Sequence, residues 1–116
     1  VLTNISAEHL DFHKNLTDYA QTKKQLFLNV IKNNLPNKFA VLPKDDEYGR
    51  KWMNEIIFDK QIDYGVTISS TLKGENIVQE LDHTTFDIKY LGKNNPINFK
   101  LPALFNVYNA LAATGV

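Results

Sequence analysis

The sequence predicts an α/β fold, a β-α-β-α layer followed by an antiparallel β-meander and a C-terminal helix. Three observations predict it. Apolar residues recur at helical spacing in two stretches of the first half. Between those stretches lies "KFAVLP", a short and nearly all-apolar run suited to a strand covered on both faces. From Asp63 onward the period shortens to two, with turn-like breaks between the runs. At 116 residues and 43% hydrophobic content, the chain suits one domain with a single core.

Taken in order, residues 1–4 read as a strand. "NLTDYAQTKKQLFLNVIKNN" follows with Leu16, Tyr19, Ala20, Leu26, Phe27, Val30 and Ile31 on one helical face. Asn15 or Thr17 can cap its start, and Asn33–Asn34 before Pro36 ends it. In "DDEYGRKWMNEIIF" the leading acids favour a helix N-terminus, and Trp52, Ile56 and Ile57 fall on one side. "DYGVTISS", "NIVQELDH", "TTFDIKYLG" and "PINFKLPA" read as strands, separated in part by "LKGEN" and "GKNNP". A last helix opens near residues 102–106. The opening "VLTN", without an initiator Met, and the closing helix, barely begun, are expected to be cuts in a longer protein.

Composition removes several function classes. Thirteen basic residues balance thirteen acidic ones, so no global field attracts nucleic acid or an anionic membrane. With no cysteine, disulfides, thiolate metal sites and cysteine nucleophiles are excluded. No apolar run approaches the ~18 residues of a membrane span. A cytoplasmic monomer is expected.

At ~100° per residue, Lys23 falls near the centre of the arc formed by Leu16, Tyr19, Ala20, Phe27 and Val30, with Lys24 to the side. An ammonium there must snorkel out, find a carboxylate, lose its charge or be chemically altered. Periodicity decides no further. His9 and His13 are four apart with Asp11 between them, a spacing that would put both imidazoles on one helical face. The segment is short, has no HExxH glutamate and shows no third ligand nearby, which argues against a zinc pair. One of the two as ligand to a harder metal stays open. His83 reads as an ordinary strand-edge residue, Trp52 and the meander aromatics as core, and Glu47–Lys51 as a solvated helix face. None of the glycines at 49, 65, 74, 92 and 115 heads a phosphate-loop pattern, and neither GxSxG nor GxGxxG occurs.

Three segments carry a resemblance. "TNISAEHLDFHKNLTDYAQTKKQLF" resembles the Mur ligase stretch in which T-N is followed by an acid, H-L-D and a second H, and then by Y-A-x-x-K. "LPALFNVYNALAA" resembles the G-x-F-N-V-x-N-A-L-A-A signature of the same family, and "DDEYGRKW" its acidic turn. The segments stand in family order and cover nearly the whole chain, with the closest match to the MurE type. That resemblance implies an ATP-dependent ligase adding a diamino acid to UDP-MurNAc-L-Ala-D-Glu through an acyl phosphate in peptidoglycan synthesis. It implies that residues 1–116 are the C-terminal half of a central ATPase domain, with the phosphate loop upstream and the amino-acid-binding domain downstream. It also implies that Lys23 is carbamylated and, with His9, binds Mg2+, and that Asn106 and Asn109 contact the adenine end of ATP. Pro43 stands where the family commonly has Asn, and Ala103 where Gly usually precedes "FN". Another amide ligase of the superfamily, such as a folylpolyglutamate or cyanophycin synthetase relative, and a non-catalytic nucleotide-binding module are the alternatives.

Overall fold

The computed structural model describes residues 1–5 and 15–116. Its elements are α1 (Leu16–Lys32), β1 (Phe39–Pro43), α2 (Glu47–Glu55), β2 (Lys60–Gly65), β3 (Leu72–Gln79), β4 (Thr84–Tyr90), β5 (Lys93–Phe99) and α3 (Leu104–Thr114). The five strands form one sheet in sequence order. β1–β2 and β2–β3 pair parallel, whereas β3–β4 and β4–β5 pair antiparallel.

The apolar run of β1 divides between two cores. Ala40 and Leu42 point into a cluster with Tyr19, Ala20 and Phe27 of α1, Trp52 of α2, and Leu2 and Ile5. Val41 points the other way, into a cluster with Tyr64, Leu72, Phe86, Ile88 and α3 residues Val107, Leu111 and Ala112. The sheet is therefore the middle of three layers, and a strand buried on both faces needs an unbroken apolar sequence.

Local signals explain most boundaries. Asn15 caps α1 by accepting the Asp18 N–H at 2.8 Å. Asp46 caps α2 by accepting the Gly49 N–H at 3.0 Å. Gly49 is buried because α2 rises directly off the end of β1: a Cβ there would lie 2.0 Å from the Pro43 carbonyl oxygen. β2 and β3 are joined by only six residues although they run parallel, which ordinarily needs a long crossover. Their overlap is short, with Tyr64 opposite Leu72 and Gly65 opposite Lys73, so the chain has little length to retrace.

Several expectations need correction. Residues 1–4 are not a strand: Leu2 N–H donates to the Val41 carbonyl at 2.9 Å, and one such bond does not make a ladder. Ile57 is 88% exposed while Trp52 and Ile56 are buried, because α2 stops at Glu55 and its helical face ends with it. "LKGEN" is no turn but lies inside β3. Its glycine admits the neighbouring layers, since a Cβ at Gly74 would meet Val66 Cγ1 at 2.9 Å and Leu111 Cδ1 at 3.2 Å. Its Asn76, at φ 53, sits in the irregularity between Glu75 and Val78. The second break shrinks to Leu91–Gly92, both at positive φ, and Lys93 already pairs with Tyr90. α3 completes eleven residues, so the closing helix is well formed.

Candidate functional site

The carboxyl end of β1, residues 3–4 and the first turns of α3 enclose a cleft of about 390 Å3. Thr3 and Asn4 form one side, Pro43, Asp45 and Asp46 the second, and Phe105, Tyr108 and Asn109 the third. In open α/β sheets such ends are where ligands bind, because loops there are free of the sheet's own pairing.

The two adjacent acids invite an acid–base reading, but their oxygens are already occupied. Asp45 accepts the N–H groups of Val66 (2.6 Å), Thr67 (3.0 Å) and Ile68 (2.8 Å), the Thr67 hydroxyl (2.6 Å) and the Tyr108 hydroxyl (2.9 Å). Gly65 makes room for this, as a Cβ there would lie 2.8 Å from Asp45 Oδ1. Asp46 accepts the N–H groups of Gly49 and, at 3.1 Å, Ile5. Arg50 braces the turn by donating to the Lys44 and Asp45 carbonyls at 2.7 and 3.0 Å. The pair is a bracket for the cleft walls rather than a proton-transfer dyad.

Titration behaviour follows from these contacts. Burial alone would raise the Asp45 carboxyl, but the Thr67 hydroxyl and the three backbone N–H donors outweigh it and hold the group well below the usual carboxylate range. Burial pushes the Tyr108 hydroxyl up to about 12, and its bond to the negative Asp45 adds to that. Burial, then the charge of Asp46, pushes Tyr64 up as well. Its hydroxyl stays a donor and holds residues 2 and 3 through their carbonyls, at 2.7 and 3.2 Å.

Of the residues the sequence singles out, Asn109 lines the cleft. Asn106 does not: it is 8% exposed, and its amide donates back to the Pro102 carbonyl at 2.5 Å. Lys23 is on α1, outside the cleft lining and half-buried, with Nζ 5.5 Å from the Tyr19 ring centroid. The predicted arc around it is only partly buried, since Val30 is exposed at 39%. Lys24, expected to the side, pairs with Glu55 of α2. His9, with Asp11 and His13, lies outside the described residues. Among the described residues no three His, Asp or Glu side chains converge as metal ligands. The Asp45–Tyr108 bond was missed by sequence reasoning, because its partners are 63 residues apart and no local pattern joins them.

The Mur ligase middle domain family matches residues 1–116, the whole chain. The chain belongs to this family. Among curated relatives, a UDP-N-acetylmuramoyl-L-alanyl-D-glutamate–2,6-diaminopimelate ligase of Caldanaerobacter subterraneus is 36% identical, over 100% of this chain and 23% of the relative. One from Clostridium acetobutylicum is 35% identical, over 97% of this chain and 22% of the relative. A UDP-N-acetylmuramate–L-alanine ligase of Hydrogenobaculum is 38% identical, over 100% and 25%. This middle-domain chain thus spans about a quarter or less of the length of these relatives. Among solved structures, MurF of Acinetobacter baumannii superposes with a TM-score of 0.78 at 17% identity, covering 97% of this chain and 24% of that one, and shares the fold. A UDP-N-acetylmuramoyl-L-alanyl-D-glutamate–2,6-diaminopimelate ligase superposes with a TM-score of 0.77 at 25% identity, covering 96% and 23%.

Pro43 and Ala103, where this Mur ligase middle domain departs from the motifs its sequence resembles, fall on the cleft or beside it. Pro43 is fully buried at the end of β1 and offers the cleft a ring where an asparagine would offer an amide. Ala103 begins α3 at φ 85, ψ 142, a conformation that only glycine adopts without strain, and supplies no side-chain cap.

Proposed function

We propose that residues 1–116 are the C-terminal half of the central ATPase domain of a longer ATP-dependent amide ligase. Its substrates would be UDP-MurNAc-L-Ala-D-Glu and a diamino acid, in peptidoglycan synthesis. The observation that carries this reading is the family match across the whole chain, with the two diaminopimelate ligases above at 35–36% identity. The cleft at the end of β1, with Asn109 on its wall, supports a nucleotide there. Asparagine both donates and accepts, as an adenine edge requires. Asn106 would act beneath it by fixing the first turn of α3.

In the reaction, a substrate carboxylate oxygen attacks the γ-phosphorus of ATP, and ADP leaves. The amine then attacks the acyl carbon, phosphate departs, and the amine's lost proton passes to solvent or a base. Magnesium, when bound, would neutralise charge on the transferring phosphoryl group. This chain's share of its site would be His9 and Lys23. Lys23 would serve as the carbamate formed when its neutral amine adds to CO2 and releases a proton. A cytoplasmic monomer fits the proposal, and no helix among the described residues is long and apolar enough to cross a membrane.

The 38% match to an L-alanine ligase favours one second reading, a Mur ligase with another amine. The test is phosphate release by the full-length protein with ATP and UDP-MurNAc-L-Ala-D-Glu, against diaminopimelate, lysine and other amines. Release that requires one diamino acid supports the proposal. Release only with UDP-MurNAc and L-alanine supports the second reading, and no release with any pair contradicts both.

A further inference from the structure

The cleft walls come from chain segments far apart in sequence, and two neighbouring carboxylates tie them together. Asp46 holds residues 1–5 through the Ile5 N–H while capping α2. Asp45 holds the 66–68 loop through three N–H groups and reaches α3 through the Tyr108 hydroxyl. α3 needs such a tie. It starts at a strained Ala103 with no side-chain cap, and its apolar anchors Val107 and Leu111 set its depth against the sheet more than its rotation. Apolar contact is non-directional, whereas a hydrogen bond to an ionised carboxylate fixes a direction. Asn109 follows Tyr108 directly, so the rotation that Tyr108 fixes also aims Asn109 into the cleft.

We infer that Asp45 and Tyr108 are positioning residues for the nucleotide: their bond sets the rotation of α3 and thereby the placement of Asn109 against the adenine edge. The inference rests on the nucleotide reading above. Neither residue need touch a reacting atom.

The experiment compares full-length wild type, Tyr108→Phe and Thr67→Val in MgATP titration calorimetry and in steady-state kinetics. Tyr108→Phe keeps the ring on the cleft wall and removes the hydroxyl that ties α3 to Asp45. Thr67→Val removes a different bond to Asp45, the hydroxyl at 2.6 Å, and leaves α3 tied. The expected result for Tyr108→Phe is a rise of about five- to tenfold in Kd and KM for MgATP. Its kcat should stay within about twofold, with the KM for the UDP-linked substrate unchanged. Thr67→Val should lower the melting temperature without moving the KM for MgATP. Unaltered MgATP affinity in a folded Tyr108→Phe protein would overturn this inference alone, and so would an equal KM rise in both variants. Failure of the wild type to bind MgATP would overturn the nucleotide reading along with it.

Discussion

The ammonium of Lys23 stands 5.5 Å from the centroid of the Tyr19 ring, one helical turn earlier on α1. Tyr19 is buried in the α1–α2 core, so Lys23, half-buried with its nitrogen over that ring, sits at the margin of the core. Its neighbour Lys24 turns instead to Glu55 of α2. Adjacent lysines therefore differ in partner. Lys24→Ala should lower stability by no more than about 1 kcal/mol, as a partly exposed ion pair does, and leave phosphate release by the full-length protein unchanged. Thermal melting and phosphate release together check this, and a large loss of release would contradict it.

Glycine, the residue of the resembled motif, should suit position 103 better than alanine. At φ 85, ψ 142 an alanine Cβ is strained, and glycine relieves it. Ala103→Gly is expected to stabilise the full-length protein by about 1 kcal/mol even after the greater freedom of glycine in the unfolded chain is counted. A higher urea midpoint with an unchanged slope is the expected readout, and a lower midpoint the contrary one.

Gly49 illustrates the opposite case. Alanine has the better helix propensity by about 1 kcal/mol, but its Cβ would lie 2.0 Å from the Pro43 carbonyl oxygen. That oxygen is backbone at the buried end of β1, and it cannot swing away. Gly49→Ala should therefore destabilise by about 2–4 kcal/mol and disturb the cleft through Asp46, its cap. Equal stability in a denaturant titration would mean that α2 shifts freely off β1.

The Asp45 bracket predicts a pH dependence. Its folded carboxyl titrates below the ordinary aspartate value of ~3.9. The stability it contributes is thus full above that value and is lost as pH falls through the folded value. The melting-temperature gap between wild type and Asp45→Asn should be constant from pH 7 to about 5 and narrow toward pH 3. A gap that widens on acidification would contradict the assignment.

What the sequence made legible was what is local. Apolar spacing placed α1, β1 and the first turns of α2, because each buries a face that its own pattern defines. The cap at Asn15 and the buried Trp52 were readable for the same reason. The turn around Gly92 was legible, whereas the break at Gly74 was misread as a second turn: its glycine lies inside β3 and admits Val66 and Leu111. Only neighbours in space distinguish them. Asn109 was legible only as part of a motif, and it lines the cleft. The bracket that aims it was not, because Asp45, the 66–68 loop and Tyr108 meet only after the sheet is assembled.

The carbamate role of Lys23 stands or falls on Lys23→Ala in the full-length protein, read by ATP-dependent phosphate release and by melting temperature on the same sample. Release should fall below about one-hundredth of wild type, the loss expected when a phosphoryl-transfer site loses a stabilising group, with melting changed by no more than a few degrees, as for a half-exposed side chain. Wild-type release from the Lys23→Ala protein would contradict that role and leave Lys23 a lysine that merely covers the edge of the core.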